Sequence, residues 1–231
     1  MSFIVAIDGP SGTGKGTIGK ILSKDLNLVH ELGLLNIDTG AMYRCIALTC
    51  LRNNITTIEK KEEIIKIAKN IKIEMKDDKG TLQIYLDGEN VSDQIRSKEV
   101  SGFVAPISSI IEVREIMVDL QRKMAENKDV IMEGRDITTV VFPNANVKIY
   151  LDATAEERAN RRFKQNQEKG IDMTYEEVLE SIKNRDHYDM TRPVGALKIA
   201  DDAIVIDTTS LSIEQVKEEV KQIILNKKEE N

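Results

Sequence analysis

The sequence predicts an α/β chain built on a doubly wound, five-stranded parallel sheet flanked by helices, with a small antiparallel β-containing insert. Three observations predict it. Short continuous apolar runs alternate with amphipathic helical stretches, the pattern of parallel strands covered on both faces by crossover helices. The first apolar run ends in a glycine-rich turn that leads straight into a helix. Between residues 71 and 91 the apolar period drops to two, which marks a hairpin set into an otherwise alternating chain.

The first strand is the run Phe3-Ile4-Val5-Ala6-Ile7, closed by Asp8 and Gly9. Ile18, Ile21, Leu22 and Leu26 then recur at spacings of three and four, predicting a helix from about Lys15 to Leu26. A second strand is expected over 34–37, a helix over 41–51, and a Lys- and Glu-rich helix over 58–70. In the insert, Ile71, Ile73 and Met75 alternate with polar residues, as do Leu82, Ile84 and Leu86. Asp77-Asp78-Lys79-Gly80 turns between them, and Asp87-Gly88 leads to a third short segment at Asn90-Val91. Residues 97–127 read as helix interrupted near Pro106, whose ring removes a backbone donor. Strands follow at 130–132 and 147–151, and helices at about 154–168 and 174–190. A last strand is expected at 203–206 and a last helix over 212–225, with Ser212 as N-cap over Gln215. The charged tail 226–231 is expected to fray. In sheets of this kind ligands bind beyond the carboxyl ends of the strands, and the polar motifs fall just after the first four parallel strands.

Composition narrows the chemistry. At 231 residues the chain fits one domain of generous size or one domain with a sub-domain. Its apolar runs fall far short of the ~20 residues a bilayer helix needs. No basic segment and long apolar core resembling a signal peptide opens it, so the cytoplasm is expected. With 33 basic against 39 acidic residues, the net charge of −6 argues against a nucleic-acid or membrane partner. Cys45 and Cys50 lack CxxC spacing, and His30 and His187 lie far apart, so zinc, thiol and imidazole mechanisms are poorly supported. The chemistry is left to lysine, arginine, carboxylates and backbone amides.

Gly9-Pro10-Ser11-Gly12-Thr13-Gly14-Lys15-Gly16-Thr17 fits GxxxxGK, with Gly16 at the usual Ser/Thr position and Thr17 one residue later. Such glycines let successive N–H groups turn inward as an anion nest, and the next helix adds its unpaired donors and positive end. Lys15 reaches the β/γ phosphates as a point charge. The missing hydroxyl at position 16 disfavours a GTPase-like loop, in which it holds magnesium. Six of the 11 arginines lie between Arg135 and Arg192, so an acidic chain concentrates planar phosphate-binding groups in one stretch.

Four further motifs occur in order, the first three of them after strands two, three and four. They are Asp38-Thr39-Gly40-Ala41-Met42-Tyr43-Arg44, Glu133-Gly134-Arg135-Asp136, Leu151-Asp152-Ala153-Thr154-Ala155-Glu156-Glu157-Arg158 with Arg161-Arg162, and Arg185-Asp186-His187-Tyr188-Asp189-Met190-Thr191-Arg192. Together with the GKGT loop they resemble bacterial cytidylate kinase, a P-loop nucleoside monophosphate kinase, over nearly the whole chain. The resemblance implies transfer of the γ-phosphoryl group of ATP to CMP, and to dCMP, with Mg²⁺ as cofactor. It implies a CMP-binding insert over about 71–107 and a lid over about 154–170, and a monomer is expected. It places ATP on Gly9 to Thr17 and Arg158, and CMP on Thr39, Arg44, Arg114, Glu133, Arg135, Asp136, Arg185, Asp189 and Arg192. Arg135 and Asp136 would read the cytosine edge, and Asp189 would accept from sugar hydroxyls. Lys15, Arg135, Arg162 and Arg192 would carry the catalytic charge, with Thr17 and Asp38 on magnesium through water. Solvated helix-surface charges are the alternative for Arg114, Arg158 and Arg161.

Some residues depart from the family pattern. Glu133 stands where aspartate is expected, Ala105 where relatives place a serine, and Val194-Gly195-Ala196-Leu197 lacks a proline before leucine. The stretch from Leu28 to Leu35 is a few residues longer than the family spacing between the first helix and Asp38. Phosphorylation of UMP, AMP or dTMP is the neighbouring alternative. A nucleotide-driven switch without a second substrate is the distant one, and it leaves the arginines and Asp189 unexplained.

Overall fold

A computed structural model describes residues 2–25, 28, 32–78, 81–168 and 170–230. Its main sheet has the order β2-β6-β1-β7-β8, with strands β1 Ile4–Asp8, β2 Leu35–Asp38, β6 Val130–Glu133, β7 Val147–Asp152 and β8 Ile204–Asp207. The pairs of β1 with β6, β1 with β7 and β7 with β8 are all parallel, with Ile7 opposite both Glu133 and Ile149. A second sheet, β3-β4-β5, holds Ile73–Asp78, Thr81–Leu86 and Glu89–Asn90 in antiparallel order, with Ile73 opposite Leu86. Asp87 and Gly88, both at positive φ, make the tight turn between β4 and β5 that their sequence signals. Of the expected β3–β4 turn, Lys79 and Gly80 lie outside the described residues, as do Leu26 and His30.

The helices are α1 Lys15–Leu22, α2 Thr39–Arg52, α3 Lys61–Asn70, α4 Lys98–Ser108, α5 Ile111–Met124, α6 Ala155–Glu168, α7 Tyr175–Thr191 and α8 Ile213–Glu229. Several differ in extent from the sequence reading. Helix α1 ends at Leu22, because Lys24 and Asp25 donate to Ile21 and Leu22 three residues back and tighten the last turn. Residues 97–127 form two helices, and Pro106 sits inside α4, with the break at Ser109 and Ile110. Helix α8 runs to Glu229, through most of the charged tail expected to fray. Its start is fixed by the capping box of Ser212 and Gln215, its last turn carries Lys227 and Lys228, and Val216, Val220 and Ile224 bury one face.

The chain divides into two compact units, residues 1–35 with 127–231, and residues 36–126. In the first, Val5, Ile7, Ile131, Ile149 and Leu151 of the strands pack with Ile18 and Leu22 of α1 and Val216, Val220 and Ile224 of α8. A buried side chain of this kind contributes about 1.5–3 kcal/mol. A smaller cluster, Ala159, Val178 and Ile182 with Phe163, Met173 and Leu179, fastens α6 to α7. In the second unit Met42, Ile46, Ile64, Ile84, Ile95 and Ile107 are fully buried. No helix among the described residues is long and apolar enough to cross a membrane.

Candidate active site

The first unit gathers its polar residues where β1, β6 and β7 end. The loop from Gly9 to Gly14 follows β1, and its glycines are required by space and by backbone angle. Gly9, at φ +146, has no room for a Cβ, which would overlap the Leu151 carbonyl oxygen of β7. Gly12 and Gly14 also have positive φ, and Gly14 caps α1. Lys15 opens the helix, buried, with Nζ donating to the Pro10 carbonyl at 2.6 Å and lying 3.4 Å from the Thr13 hydroxyl. Burial, and next the Arg135 guanidinium, push this ammonium well below its usual range, against the opposing pull of Glu133 and Asp8.

Glu133, at the end of β6, lies over the loop. A Cβ on Gly16 would come within 2.8 Å of its Oε1 and 3.3 Å of its Oε2. The two departures read in the sequence, no side chain at 16 and a longer carboxylate at 133, are therefore one steric arrangement. Thr17 is exposed beside them.

Beyond β6, Arg135 and Asp136 meet the end of α7. Asp189 is the centre of this cluster: its carboxylate accepts from Arg135 Nε at 2.9 Å, with Arg185 Nε and Arg192 NH1 each at 3.8 Å. Arg192 NH2 stands 4.0 Å from Asp136, and the side chains of Arg192, Asp136 and Asp189 are each no more than 10% exposed. Helix α7 holds Arg185 and Asp189 on its last two turns and Arg192 as its C-cap, and its start is set by the capping box of Thr174 and Glu177. Leu197 N donates to the Asp189 carbonyl at 2.7 Å and Arg192 Nε to Gly195 O at 2.6 Å, so the segment that lacks proline is tied back to the helix end.

The three arginines of α6 differ sharply. Arg158 is buried and fully engaged: Nε donates to Ala153 O at 2.9 Å, NH1 to Ser11 O at 3.2 Å, and both terminal nitrogens fork onto Asp186 at 3.0 and 2.6 Å. Arg161 pairs with Glu157 at 2.9 Å and reaches the hydroxyl and carbonyl of Thr208. Arg162 is exposed, with no ion pair to the described residues.

In the second unit, Asp38 caps α2 by accepting from Ala41 N at 3.0 Å. Thr39 is buried at the start of that helix. Arg44 NH1 donates to Ile95 O at 2.9 Å and to the Ser101 hydroxyl at 2.7 Å. Arg114, a residue of α5, is buried with its guanidinium 5.9 Å from the Tyr43 ring centre. Ala105 lies on α4. Cys45 and Cys50 are buried thiols, pushed up to about 12 and about 11, chiefly by desolvation.

Three organising residues escaped the sequence reading. Asp8, wholly buried, accepts from Ile137 N at 3.0 Å, Thr138 N at 2.7 Å and the Thr138 hydroxyl at 2.6 Å. It thereby anchors the π-helical turn Ile137–Val141 that follows Asp136. An acid closing an otherwise apolar strand was the available signal. Asp186 was visible only as a member of a motif, and Thr208 only as a polar residue after the last strand.

A family model described as "Cytidylate kinase" matches residues 5–226. The chain is 49% identical over 219 residues to a cytidylate kinase of Caldicellulosiruptor bescii, covering 95% of this chain and 94% of that protein. It is 51% identical over 215 residues to a cytidylate kinase of Fusobacterium nucleatum, covering 93% and 94%. A crystal structure of an uncharacterized protein from Eubacterium ventriosum shares the fold, with a TM-score of 0.52 at 11% identity over 98% of this chain and 99% of that one.

Proposed function

The chain belongs to the cytidylate kinase family, and from that premise we propose that it transfers the γ-phosphoryl group of ATP to a phosphate oxygen of CMP, giving CDP and ADP. The observation that carries the reading in this chain is the pairing, within one unit, of a GKGT phosphate loop with a cluster of three arginines around Asp189. The acceptor is already an anion, so no strong general base is needed, and the rate rests on alignment and on neutralising charge. The loop amides and Lys15 would hold the ATP phosphates. Arg135 and Arg192 would take the acceptor phosphate between them, Arg185 would approach the same phosphate, and Asp136 would present its carboxylate to the base amine. Asp189 would accept from the sugar and, by holding Arg135, aim its fork. Arg162, exposed on α6, is the arginine with the freedom to reach a transferring phosphoryl group. The resemblance assigns Thr39, Arg44 and Arg114 to CMP as well, and that assignment belongs to the same proposal. dCMP is the proposed second acceptor and the monomer the proposed state.

The residues fit a magnesium ion carried mainly by the nucleotide. Among the described residues no group of three or more His, Cys, Asp or Glu could hold a metal, while Glu133 fills the space where a hydroxyl on residue 16 would stand. Glu133 and Thr17 would hold the ion largely through water, with Asp38 in the same indirect role, and the ion would neutralise β- and γ-phosphate oxygens. Gly16→Ser is expected to displace the Glu133 carboxylate and lower turnover about tenfold, with little change in melting temperature. Adding Glu133→Asp, whose shorter arm clears the new side chain, should recover most of the loss. Equal turnover of the single and double variants would show that positions 16 and 133 act separately.

The reading is tested by ADP release with ATP and each of CMP, dCMP, UMP, AMP and dTMP. CMP and dCMP are expected to give the highest kcat/KM. A preference for AMP or dTMP would overturn the assignment of Arg135 and Asp136 to the cytosine edge.

A further inference from the structure

We propose that Asp186 is a positioning residue for phosphoryl transfer: through Arg158 it fixes α7, and with it the acceptor cluster, against the phosphate loop. The inference rests on the kinase reading above and adds a residue that touches neither substrate. Both Asp186 carboxylate oxygens are taken by the Arg158 fork, at 3.0 and 2.6 Å, and the two side chains are only 13% and 5% exposed. Arg158 spends its other bonds on carbonyls that belong to the donor side, Ala153 at the end of β7 and Ser11 within the loop. Its stem also packs on the loop, since a Cβ on Gly12 would lie 3.2 Å from Arg158 Cβ. Asp186 therefore fastens α7 to the donor loop through a single planar, bidentate contact.

The same helix carries the acceptor residues. Arg185 is the neighbour of Asp186 in the chain, Asp189 follows one turn later, and Arg192 closes the helix. A displacement of α7 at Asp186 would be carried to all three, and so to Arg135, which Asp189 holds at 2.9 Å. A buried ion pair adds little net stability over an apolar pair of the same size. Its value here lies in fixing direction. Two phosphates must meet in line, and a misplacement of about 1 Å costs on the order of 10²-fold in rate.

The test is steady-state kinetics of Asp186→Asn, which keeps the shape and removes the charge, alongside Asp186→Glu, which keeps the charge on an arm one methylene longer. Folded fraction is measured by circular dichroism and thermal melting. The Asn variant is expected to lose at least about tenfold in kcat, with KM for CMP and ATP each within about threefold of wild type, and the Glu variant to fall between the two. Turnover of the Asn variant within about twofold of wild type, a kcat loss matched by the loss of folded protein, or an effect confined to KM would overturn the proposal. If the Asn variant does not fold, the Glu variant decides: a kcat several-fold below wild type supports the role, and an unchanged kcat removes it. CMP-dependent ADP release by the wild-type enzyme reports separately on the kinase reading.

Discussion

Lys15→Met is expected to lower turnover by about 10³-fold or more while leaving the melting temperature unchanged or raising it. The loss follows from position. Lys15 is the ammonium at the mouth of the phosphate loop, and charge developing between the transferring oxygens has no equivalent partner once it is removed. The stability effect follows from the cost of keeping that ammonium charged. It is buried, Arg135 and Arg185 oppose it, and its folded pKa lies well below the ordinary 10.5. The folded state therefore binds its proton less tightly than the unfolded chain does. The penalty is fully present below the folded pKa and fades as pH rises from there toward 10.5. Methionine fills similar volume without the penalty. Thermal melts of both proteins should show the variant's advantage at neutral pH shrinking in alkaline buffer, and ADP release should show the lost turnover. A variant that melts well below wild type and keeps its turnover would contradict both halves.

Asp189→Asn is expected to lower kcat/KM for CMP by about 10²-fold and to lower the melting temperature by several degrees. The Asp189 carboxylate lies within 4 Å of Arg135, Arg185 and Arg192 together. Neutralising it removes the negative charge shared by three guanidinium groups and weakens the single bond that aims Arg135. Breaking a buried pair costs about 3–5 kcal/mol, and the exposure of Arg185, at 41%, brings the figure here nearer about 2–3 kcal/mol. The cluster becomes more cationic, so inorganic phosphate should inhibit the variant at least as well as wild type while CMP is lost. That divergence separates misdirected arginines from a simple loss of charge attraction. Parallel weakening of CMP and phosphate would point instead to collapse of the cluster.

The fold was legible because its strands are short apolar runs and its turns are marked by glycine. Phe3 to Ile7 could only be a strand buried on both faces, and β1 is flanked by β6 and β7 in parallel. Helix ends were less legible. The end of α1 depends on backbone bonds at Lys24 and Asp25 that no side chain announces, and α8 extends through a polar segment because one buried face continues to Ile224. At the site, residue types and spacing pointed to phosphate binding, but they could not assign partners. Arg158 and Arg162 stand four residues apart on one helix, and both fall in the lid expected over about 154–170. One is locked onto Asp186, 28 residues away, and the other is exposed. The Gly16 and Glu133 departures looked independent for the same reason: their relation exists only once β6 runs beside β1.

Phosphoryl transfer to CMP is tested most directly by a single-turnover reaction of the enzyme with γ-labelled ATP and CMP, with the label followed into products. Label is expected in the β-phosphate of CDP in a one-to-one ratio with ADP. Label released as inorganic phosphate, with CMP unchanged, would contradict that transfer.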